Sequence, residues 1–492
     1  MKSNNLFVTS TDKNLGVAVV SRTWYIAKCK DYLANDSSIT KISVDKCHEI
    51  MNNCQRHIDL IVMSRAYSLT EQEELFLQAN PWNEDLRRLP RFSGLPKIYK
   101  KPTKFRPIIP CHSFIGETGA SMLSHLLDAE VKNCNTILLN SRTLAQELTK
   151  IKIPFGKKAF MLSADVEAFY PNVPLNAIHD VVEKAVTKHH GEIKGKLARE
   201  LCSIANNYLV FRYGSDLFVQ TNGLAMGVAC SPHIANLYTA AFEEHMSVDP
   251  NVLIYKRYID DIFTIVITDS LEDALTYAKE RLVFPGLKLI WEGDRNRLVF
   301  LDLEVMHVPT TGTFDFRPYR KPLNHFERIP FSSEYPKWMK TGAFLGEMSR
   351  LAAMSSSIDI YKQAIKELAS IYLSREYTLV LVQEWIKLNY DIRCETRYRV
   401  EKSRGVDNLM VIKSVLNPIW EWDLVDVRNV QQGIQQVWEG SSIPPKLLEA
   451  ELIISRKRTI NFGDLCQRFN SNYLDTFPDV TTLGESLKTL HL

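Results

Sequence analysis

Two apolar runs, 252–258 and 262–267, flank an Asp260-Asp261 pair, and their branched and aromatic residues read as two strands joined by a tight turn. Upstream, Phe160-Met161-Leu162-Ser163-Ala164-Asp165-Val166 reads as a buried strand ending in a carboxylate. Between these segments the apolar period lengthens. It predicts helices over 175–189 and 195–208, then a hairpin over 209–221 that turns at Gly214-Ser215-Asp216. Ser231-Pro232 reads as an N-cap followed by proline at the first helical position, with Ile234, Leu237, Ala241 and Phe242 on one face of the helix. A helix over 271–282 and strands over 286–292 and 297–307 follow. This alternation predicts an α+β architecture, an antiparallel sheet with helices packed on one face.

Outside that block, Val17–Val20 reads as a short strand. Thr70 and Glu73 form the start signal of a capped helix over 68–76. Prolines 90, 96, 102, 107 and 110 exclude helix and predict strands and turns. Beyond 335 the pattern is helical. The last hundred residues are mixed, with Trp420, Trp422 and Trp438 expected to anchor a small core. No internal repeat or low-complexity tract is present.

A length of 492 residues predicts two to four packed units, and 45% apolar with 24% charged residues is globular composition. No run approaches the roughly 18 apolar residues of a membrane span, and the N-terminus lacks the basic start and apolar core of a secretory signal. The nine cysteines include no C-x-x-C pair, which predicts reduced thiols in an intracellular compartment. Net charge is only +3. Its distribution matters more: Trp82–His112 holds eight Lys and Arg against two acids, a local surface that can steer phosphates.

Asp-Asp alone is a common surface turn, but here its flanks are too apolar for an exposed hairpin. If the Asp165 strand lies beside this turn, three carboxylates converge and demand a divalent cation. Mg²⁺ suits a few carboxylates with water and phosphate oxygens completing the sphere. Two such ions about 4 Å apart activate an attacking hydroxyl and stabilise a leaving pyrophosphate, which predicts nucleotidyl transfer. Gly223-Leu224-Ala225-Met226-Gly227 would let backbone approach a nucleotide closely. Lys97 and Arg106 are candidates to clamp a triphosphate. Cys47, His48, Cys54 and His57 fit no common zinc finger and read as one helix face. His189-His190 reads as a polar helix end and Cys230 as a small buried residue. There is no Walker-type loop or nucleophile elbow.

The order and wording of these motifs resemble reverse transcriptases. Leu95-Pro96-Lys97 through Phe105-Arg106-Pro107-Ile108 resembles the fingers motifs, and Asp165 through Tyr170 the palm motif carrying the first metal-binding Asp. Gln220 through Gly227 resembles the next motif, and Arg257-Tyr258-Ile259-Asp260-Asp261 the Y-x-D-D box. Within that superfamily the chain is most similar to the Penelope-like, telomerase-related group. Ala225-Met226-Gly227 stands where other groups carry Pro-Gln-Gly. Phe300-Leu301-Asp302-Leu303-Glu304-Val305 resembles the F-L-D-V strand, and Tyr319-Arg320-Lys321-Pro322 with Ser332 through Pro336 the Y-R-K-P and S-x-H-P segments. Ser10 through Gly16 is similar to the A-D-K-G-N segment. Tyr335 departs from the usual His, and Val228-Ala229-Cys230 from the usual Ser-Pro start. No G-I-Y…Y-I-G nuclease pair is present.

The resemblance implies a right-hand polymerase with a small C-terminal extension. It divides as an N-terminal extension (1–90), fingers (91–159), palm (160–320, with a fingers segment about 175–221), primer grip and helical thumb (321–392) and C-terminal extension (393–492). It implies Asp165, Asp260 and Asp261 as catalytic carboxylates and metal ligands, joined by the Val166 carbonyl, with two Mg²⁺ ions and Mn²⁺ as substitute. Lys97, Arg106, Tyr170, Met226 and Gly227 would bind dNTP, with Tyr170 as the gate against a 2′-hydroxyl. Tyr258, Arg320 and Lys321 would contact primer or template. The implied partners are an RNA template, a DNA primer or target DNA and dNTPs, with no membrane. The implied setting is the nucleus, with an organelle as the alternative. The implied activity is RNA-directed DNA polymerisation. Protein-primed or template-independent synthesis and a retired nucleic-acid-binding protein are the competing readings.

Overall fold

The computed structural model describes residues 5–14, 16–321 and 327–396, together with 411–416, 451–456 and isolated positions between 429 and 437. Its packing divides into two units, the first ending at Phe314 and the second beginning at Asp315.

The first unit opens with a hairpin of β1 (Leu6–Ser10) and β2 (Val17–Ser21), in register from Leu6↔Ser21 to Ser10↔Val17. Ser21 caps α1 (Arg22–Asn35) by accepting from the Trp24 N–H. After β3 (Ile39–Ile42), α2 (Val44–Met63) buries Cys47, Met51, Cys54, Ile58 and Ile61, a stripe at three- and four-residue spacing. Cys47 and Cys54 belong to that apolar stripe, as the reading of one helix face expects, and His57 bonds Glu200 and Tyr208. The expected capping box of Thr70 and Glu73 opens α3 (Glu71–Leu77). The proline-punctuated stretch forms a hairpin of β4 (Ser93–Lys97) and β5 (Lys104–Ile108). Two helices follow, α4 (Glu117–Asn133) and α5 (Ser141–Leu148).

β6 (Ala159–Glu167) leads through the short α6 (Phe169–Asn172) into α7 (Leu175–Asn207). The two helices expected over 175–208 are the halves of α7, broken at Gly191 with φ +82° and ψ +169°. His189 and His190, just before the break, pair with Glu130 of α4. β7 (Val210–Tyr213) and β8 (Asp216–Gln220) form the expected hairpin. In α8 (Ser231–Glu243) the cap is Cys230, not Ser231, and no side chain bonds it. Proline is tolerated throughout the first turn, so the helix starts one residue earlier than its Ser-Pro signal suggests. Its buried set also differs from the expected face: Ile234, Ala235, Leu237, Tyr238 and Thr239 are buried and Ala241 is exposed.

β9 (Val252–Tyr258), β10 (Asp261–Ile267), α9 (Leu271–Arg281) and β11 (Lys288–Asp294) complete a four-stranded sheet of order β11-β6-β10-β9, antiparallel at every pairing. The central strand β6 buries six consecutive residues, Ala159–Ala164, because both faces are covered along that length. α9 packs on Phe160, Leu162 and Val266. Further along the same face, Ala164 and Val166 join the main core with residues of α4, α7 and α8. The strand expected over 297–307 is two, β12 (Arg297–Phe300) and β13 (Leu303–Val308), paired across a two-residue turn at Leu301-Asp302. β14 (Thr313–Pro318) carries the chain into the second unit.

The second unit packs α10 (Lys337–Ala353), α11 (Ile358–Leu373) and α12 (Leu379–Thr396) around an aromatic core in which Phe344 meets Tyr372 edge-on at 4.8 Å. Pro336 caps α10, and Lys340 fixes the preceding loop by donating to the Phe331 and Ser333 carbonyls. Strands 411–416 and 451–456 pair in parallel. Trp420, Trp422 and Trp438 lie outside the described residues. No helix among the described residues is long and apolar enough to cross a membrane.

Candidate active site

Alternation along β6 sends Val166, 2% exposed, into the core and leaves Asp165 on the opposite, open face. β10 places Asp261 directly opposite Asp165. Directly opposed residues share a face with Cβ atoms about 5 Å apart, so the register gathers these two carboxylates. Asp260 enters through the turn. Tyr258 pairs with Asp261, leaving Ile259-Asp260 as a two-residue loop. Ile259 takes φ +56°, as the first position of a primed hairpin turn requires. For a β-branched residue this conformation costs on the order of 1–3 kcal/mol. Two hydrogen bonds hold it: Val166 N–H donates to the Asp260 carbonyl at 3.0 Å, and Arg257 Nη1 donates to the Ile259 carbonyl at 3.0 Å.

Arg257 is wholly buried, and its guanidinium is saturated. Nε donates to Glu243 Oε2 at 2.7 Å and Nη2 to Oε1 at 2.9 Å, a bidentate fork. Nη1 also reaches Asn236 Oδ1 at 2.7 Å, and Nη2 the Asn236 carbonyl at 2.9 Å. Tyr255 donates to Glu243 Oε2 at 2.8 Å. Helix α8 is thereby tied to the carboxylate turn. Sequence reasoning treated Arg257 only as a motif letter and did not single out Glu243. The available signal was Asn236 and Glu243, two polar positions seven apart on a buried helix.

Asp165 and Asp260 repel. The Asp165 carboxyl is pushed above its usual range, first by the protein around it and then by Asp260, with Lys100 and Lys13 offsetting part of the effect. Among the described residues no three His, Cys, Asp or Glu side chains are gathered closely enough to hold an ion as they stand. What the fold assembles is Asp165 opposite Asp261 by register, beside the turn that carries Asp260.

Ala168, at φ +49°, breaks β6 from α6, so that Phe169 turns into the core and Tyr170 is left half-buried beside the turn. The Tyr170 phenol is pushed up to about 12, first by burial and then by Asp260, while Arg106 and Tyr258 act with opposite signs. It therefore lies within electrostatic reach of both the carboxylate turn and the basic hairpin. The loop before α8 docks on α6 and on the residue just past β5. Leu224 N–H donates to the Tyr170 carbonyl at 2.8 Å, and Ile109 N–H to the Met226 carbonyl at 3.1 Å. A Cβ at Gly223 would fall 2.4 Å from the Pro171 carbonyl oxygen. At Gly227, φ +136°, it would fall 1.9 Å from that of Ile109. Both positions exclude any side chain.

Lys97 faces Lys104 across the β4–β5 hairpin, and Arg106, two residues on from Lys104, shares that face. Burial first, and then Arg106, push the Lys97 ammonium below its usual range. Asp12, from the tip between β1 and β2, binds Arg106 Nε at 2.8 Å and accepts from the Tyr99 hydroxyl at 2.6 Å. Lys13 Nζ lies 4.6 Å from the centroid of the Tyr99 ring. Arg320 and Lys321 belong to the second unit, where Arg320 lies 4.0 Å from Glu367 of α11 and Lys321 is exposed.

Residues 98–292 match the family model described as reverse transcriptase (RNA-dependent DNA polymerase). No curated protein matches the chain. Among solved structures it is similar to telomerase from Candida albicans in complex with a TWJ fragment of telomeric RNA. That match has 12% identity and a TM-score of 0.51, and it covers 80% of this chain and 65% of that one. Apo telomerase from Candida tropicalis matches at 12% identity and a TM-score of 0.46, over 79% of this chain and 67% of that one. The RNA-dependent RNA polymerase of a human picobirnavirus matches at 11% and 0.40, over 63% and 60%. The chain thus spans about two thirds of the length of the Candida albicans telomerase chain, slightly less than that fraction by the 65% covered. It carries a reverse transcriptase domain, and its fold is that of a right-hand polymerase.

Proposed function

We propose that this reverse transcriptase domain works as an RNA-directed DNA polymerase, adding dNTPs to the 3′-hydroxyl of a DNA primer on an RNA template. The observation that carries the reading is the β6–β10 register, which sets Asp261 against Asp165 beside the Asp260 turn within the matched residues. The repulsion between Asp165 and Asp260 is the electrostatic demand that a hard divalent cation meets, and an all-oxygen donor set suits magnesium. Asp165, Asp260, Asp261 and the Val166 carbonyl are the ligands we propose. When bound, a pair of Mg²⁺ ions, or Mn²⁺ in their place, supplies charge stabilisation to the attacking and leaving oxygens.

The rest of the proposal concerns what the side chains do. Lys97 and Arg106 hold the triphosphate on the shared face of the hairpin. Met226 and Gly227 line the base through a loop pinned to Ile109. The Tyr170 ring, packed against Phe169 with its backbone held by the Leu224 bond, stands under the sugar and leaves no room for a 2′-hydroxyl. Tyr258, Arg320 and Lys321 contact primer or template. An RNA template is favoured because the Candida albicans telomerase of similar fold was solved with telomeric RNA. The nucleus, where chromosome ends and nicks offer primers, is the proposed site of action.

Primer extension on a poly-RNA template with an annealed DNA primer and Mg²⁺ tests this reading. Extension with dNTPs, lost in Asp260→Ala and relaxed toward NTPs in Tyr170→Ala, supports it. Extension by Asp260→Ala equal to the parent overturns the assignment of the carboxylates. Tight nucleic-acid binding without extension by the parent moves the function to protein priming or to a retired polymerase.

A further inference from the structure

We propose that the tip of the N-terminal hairpin is part of the nucleotide site, with Lys13 contacting the terminal phosphates of the incoming nucleoside triphosphate and buried Asp12 holding Arg106 and Tyr99 in place for it. The inference rests on the polymerase reading and deepens it. The tip lies outside residues 98–292, which the family model matches, and no comparison assigns it a role.

Four observations carry it. First, the base of the tip is tied by two hydrogen bonds. Thr11 donates to the Gly16 carbonyl through both its N–H, at 3.1 Å, and its hydroxyl, at 2.9 Å, closing the tip. Within the tip Lys13 takes φ +63° and ψ +25°, a left-handed conformation in which a lysine rarely sits unless its surroundings dictate it. Second, the Asp12 carboxylate, 5% exposed, spends both oxygens on the fingers hairpin, one on Arg106 and one on Tyr99. It fixes the side chain proposed to clamp the triphosphate. Third, Lys13 itself is exposed, and its ammonium lies over the Tyr99 ring, which directs it toward the basic face of the hairpin. Fourth, Tyr99 belongs to the loop between β4 and β5, and Asp12 beside Lys13 holds Arg106 of β5, so the ammonium stands beside the side chains proposed to clamp the triphosphate.

A polyanion is the partner this chemistry selects. Lys97, Lys104 and Arg106 share one face of the hairpin with Lys13 beside them, a run of like charges that suits a triphosphate. A backbone phosphate of primer or template offers the same oxygens singly, and the experiment separates the two.

The full chain is assayed as Lys13→Ala, Lys13→Arg and the parent. The readouts are the KM for dNTP in primer extension, direct dNTP binding in Mg²⁺ by calorimetry, inhibition by inorganic pyrophosphate, and primer–template affinity without dNTP. Lys13 is exposed, so the thermal midpoint should not move. In Lys13→Ala the KM and Kd for dNTP should rise about tenfold, the size of one charge-assisted contact. Pyrophosphate inhibition should weaken in parallel, primer–template affinity should stay unchanged, and Lys13→Arg should recover most of the loss. Unchanged dNTP affinity in Lys13→Ala, beside a parent that extends primers, overturns this inference and leaves the polymerase reading intact. Weaker primer–template binding at constant KM assigns Lys13 to nucleic acid and overturns it as well. A parent that neither extends nor binds dNTP overturns both.

Discussion

Replacing Glu243 by Gln should separate what the buried pair does for stability from what it does for the carboxylate turn. Glu243 and Arg257 are both 0% exposed and bonded through the guanidinium fork. The amide keeps the shape and removes the negative charge, stranding a buried guanidinium, and breaking one side of such a pair costs about 3–5 kcal/mol. The double variant Glu243→Leu with Arg257→Met removes both charges at similar volume. It should lose less than the single variant, although Tyr255 and Asn236 then lack partners. In the double variant the Ile259 carbonyl also loses its donor. A bond from a charged donor is worth about 1.5–3 kcal/mol, the same size as the strain of roughly 1–3 kcal/mol at Ile259. The turn then has no surplus holding it, and kcat should fall about 10- to 100-fold at roughly 1.4 kcal/mol per decade. Urea midpoints at constant m-value give the stabilities, and single-turnover extension gives the rate. A double variant with the parent's kcat would show that Arg257 does not set the turn. A loss under about 1 kcal/mol in Glu243→Gln would refute the buried-charge argument.

Three further outcomes are expected. Asp165→Asn removes a charge that its surroundings and Asp260 both oppose, so it should raise the thermal midpoint in EDTA while abolishing extension; added Mg²⁺ should then raise the midpoint of the parent alone. The Lys97 ammonium sits below the ordinary lysine value of 10.5, and only its charged form attracts phosphate. The KM for dNTP should therefore rise as pH climbs through that lowered value, earlier than an ordinary lysine would allow, and Lys97→Arg should flatten the profile; a parent profile that is already flat refutes this. Gly227→Ala must move its loop away from the Ile109 carbonyl, so dNTP affinity should drop by at least tenfold with little effect on primer binding, read from KM and from anisotropy.

The sheet was legible because buried strands announce themselves: β6 and β10 are long apolar runs, and carboxylates interrupt them at the ends. The capping box at Thr70 was equally legible, since both of its partners lie within one helical turn. The turn at Leu301 was not. Phe300-Leu301-Asp302-Leu303 reads as unbroken strand because its left-handed residue is a leucine, not a glycine. The same device operates at Ile259, where only the adjacent Asp pair gave the turn away. At Ile259 bonds from Val166 and Arg257 hold the turn, so local composition carries no sign of it. Arg257 was opaque for a related reason: its partner lies fourteen positions earlier, and two isolated charges in a sequence read as solvated side chains.

The charges of the candidate site are unfavourable on each side taken alone. Lys97 and Lys104 stand opposite one another across a hairpin, and Asp165 stands opposite Asp261 across a sheet with Asp260 adjoining. Like charges directly opposed destabilise a strand pair. Neither arrangement would be kept for the fold, because one neutral substitution on either side would relieve it. Both make sense for a ligand that is anionic at one end and cationic at the other, which is the charge pattern of a nucleoside triphosphate carrying divalent metal. The buried pair of Arg257 and Glu243 braces the carboxylate turn, and the buried Asp12 carboxylate braces the more exposed Arg106 on the basic face. The prediction with most reach is therefore the joint one: Asp165→Asn should gain stability as it loses activity, and a variant that lost both would place the carboxylate in the fold's support instead of in its chemistry.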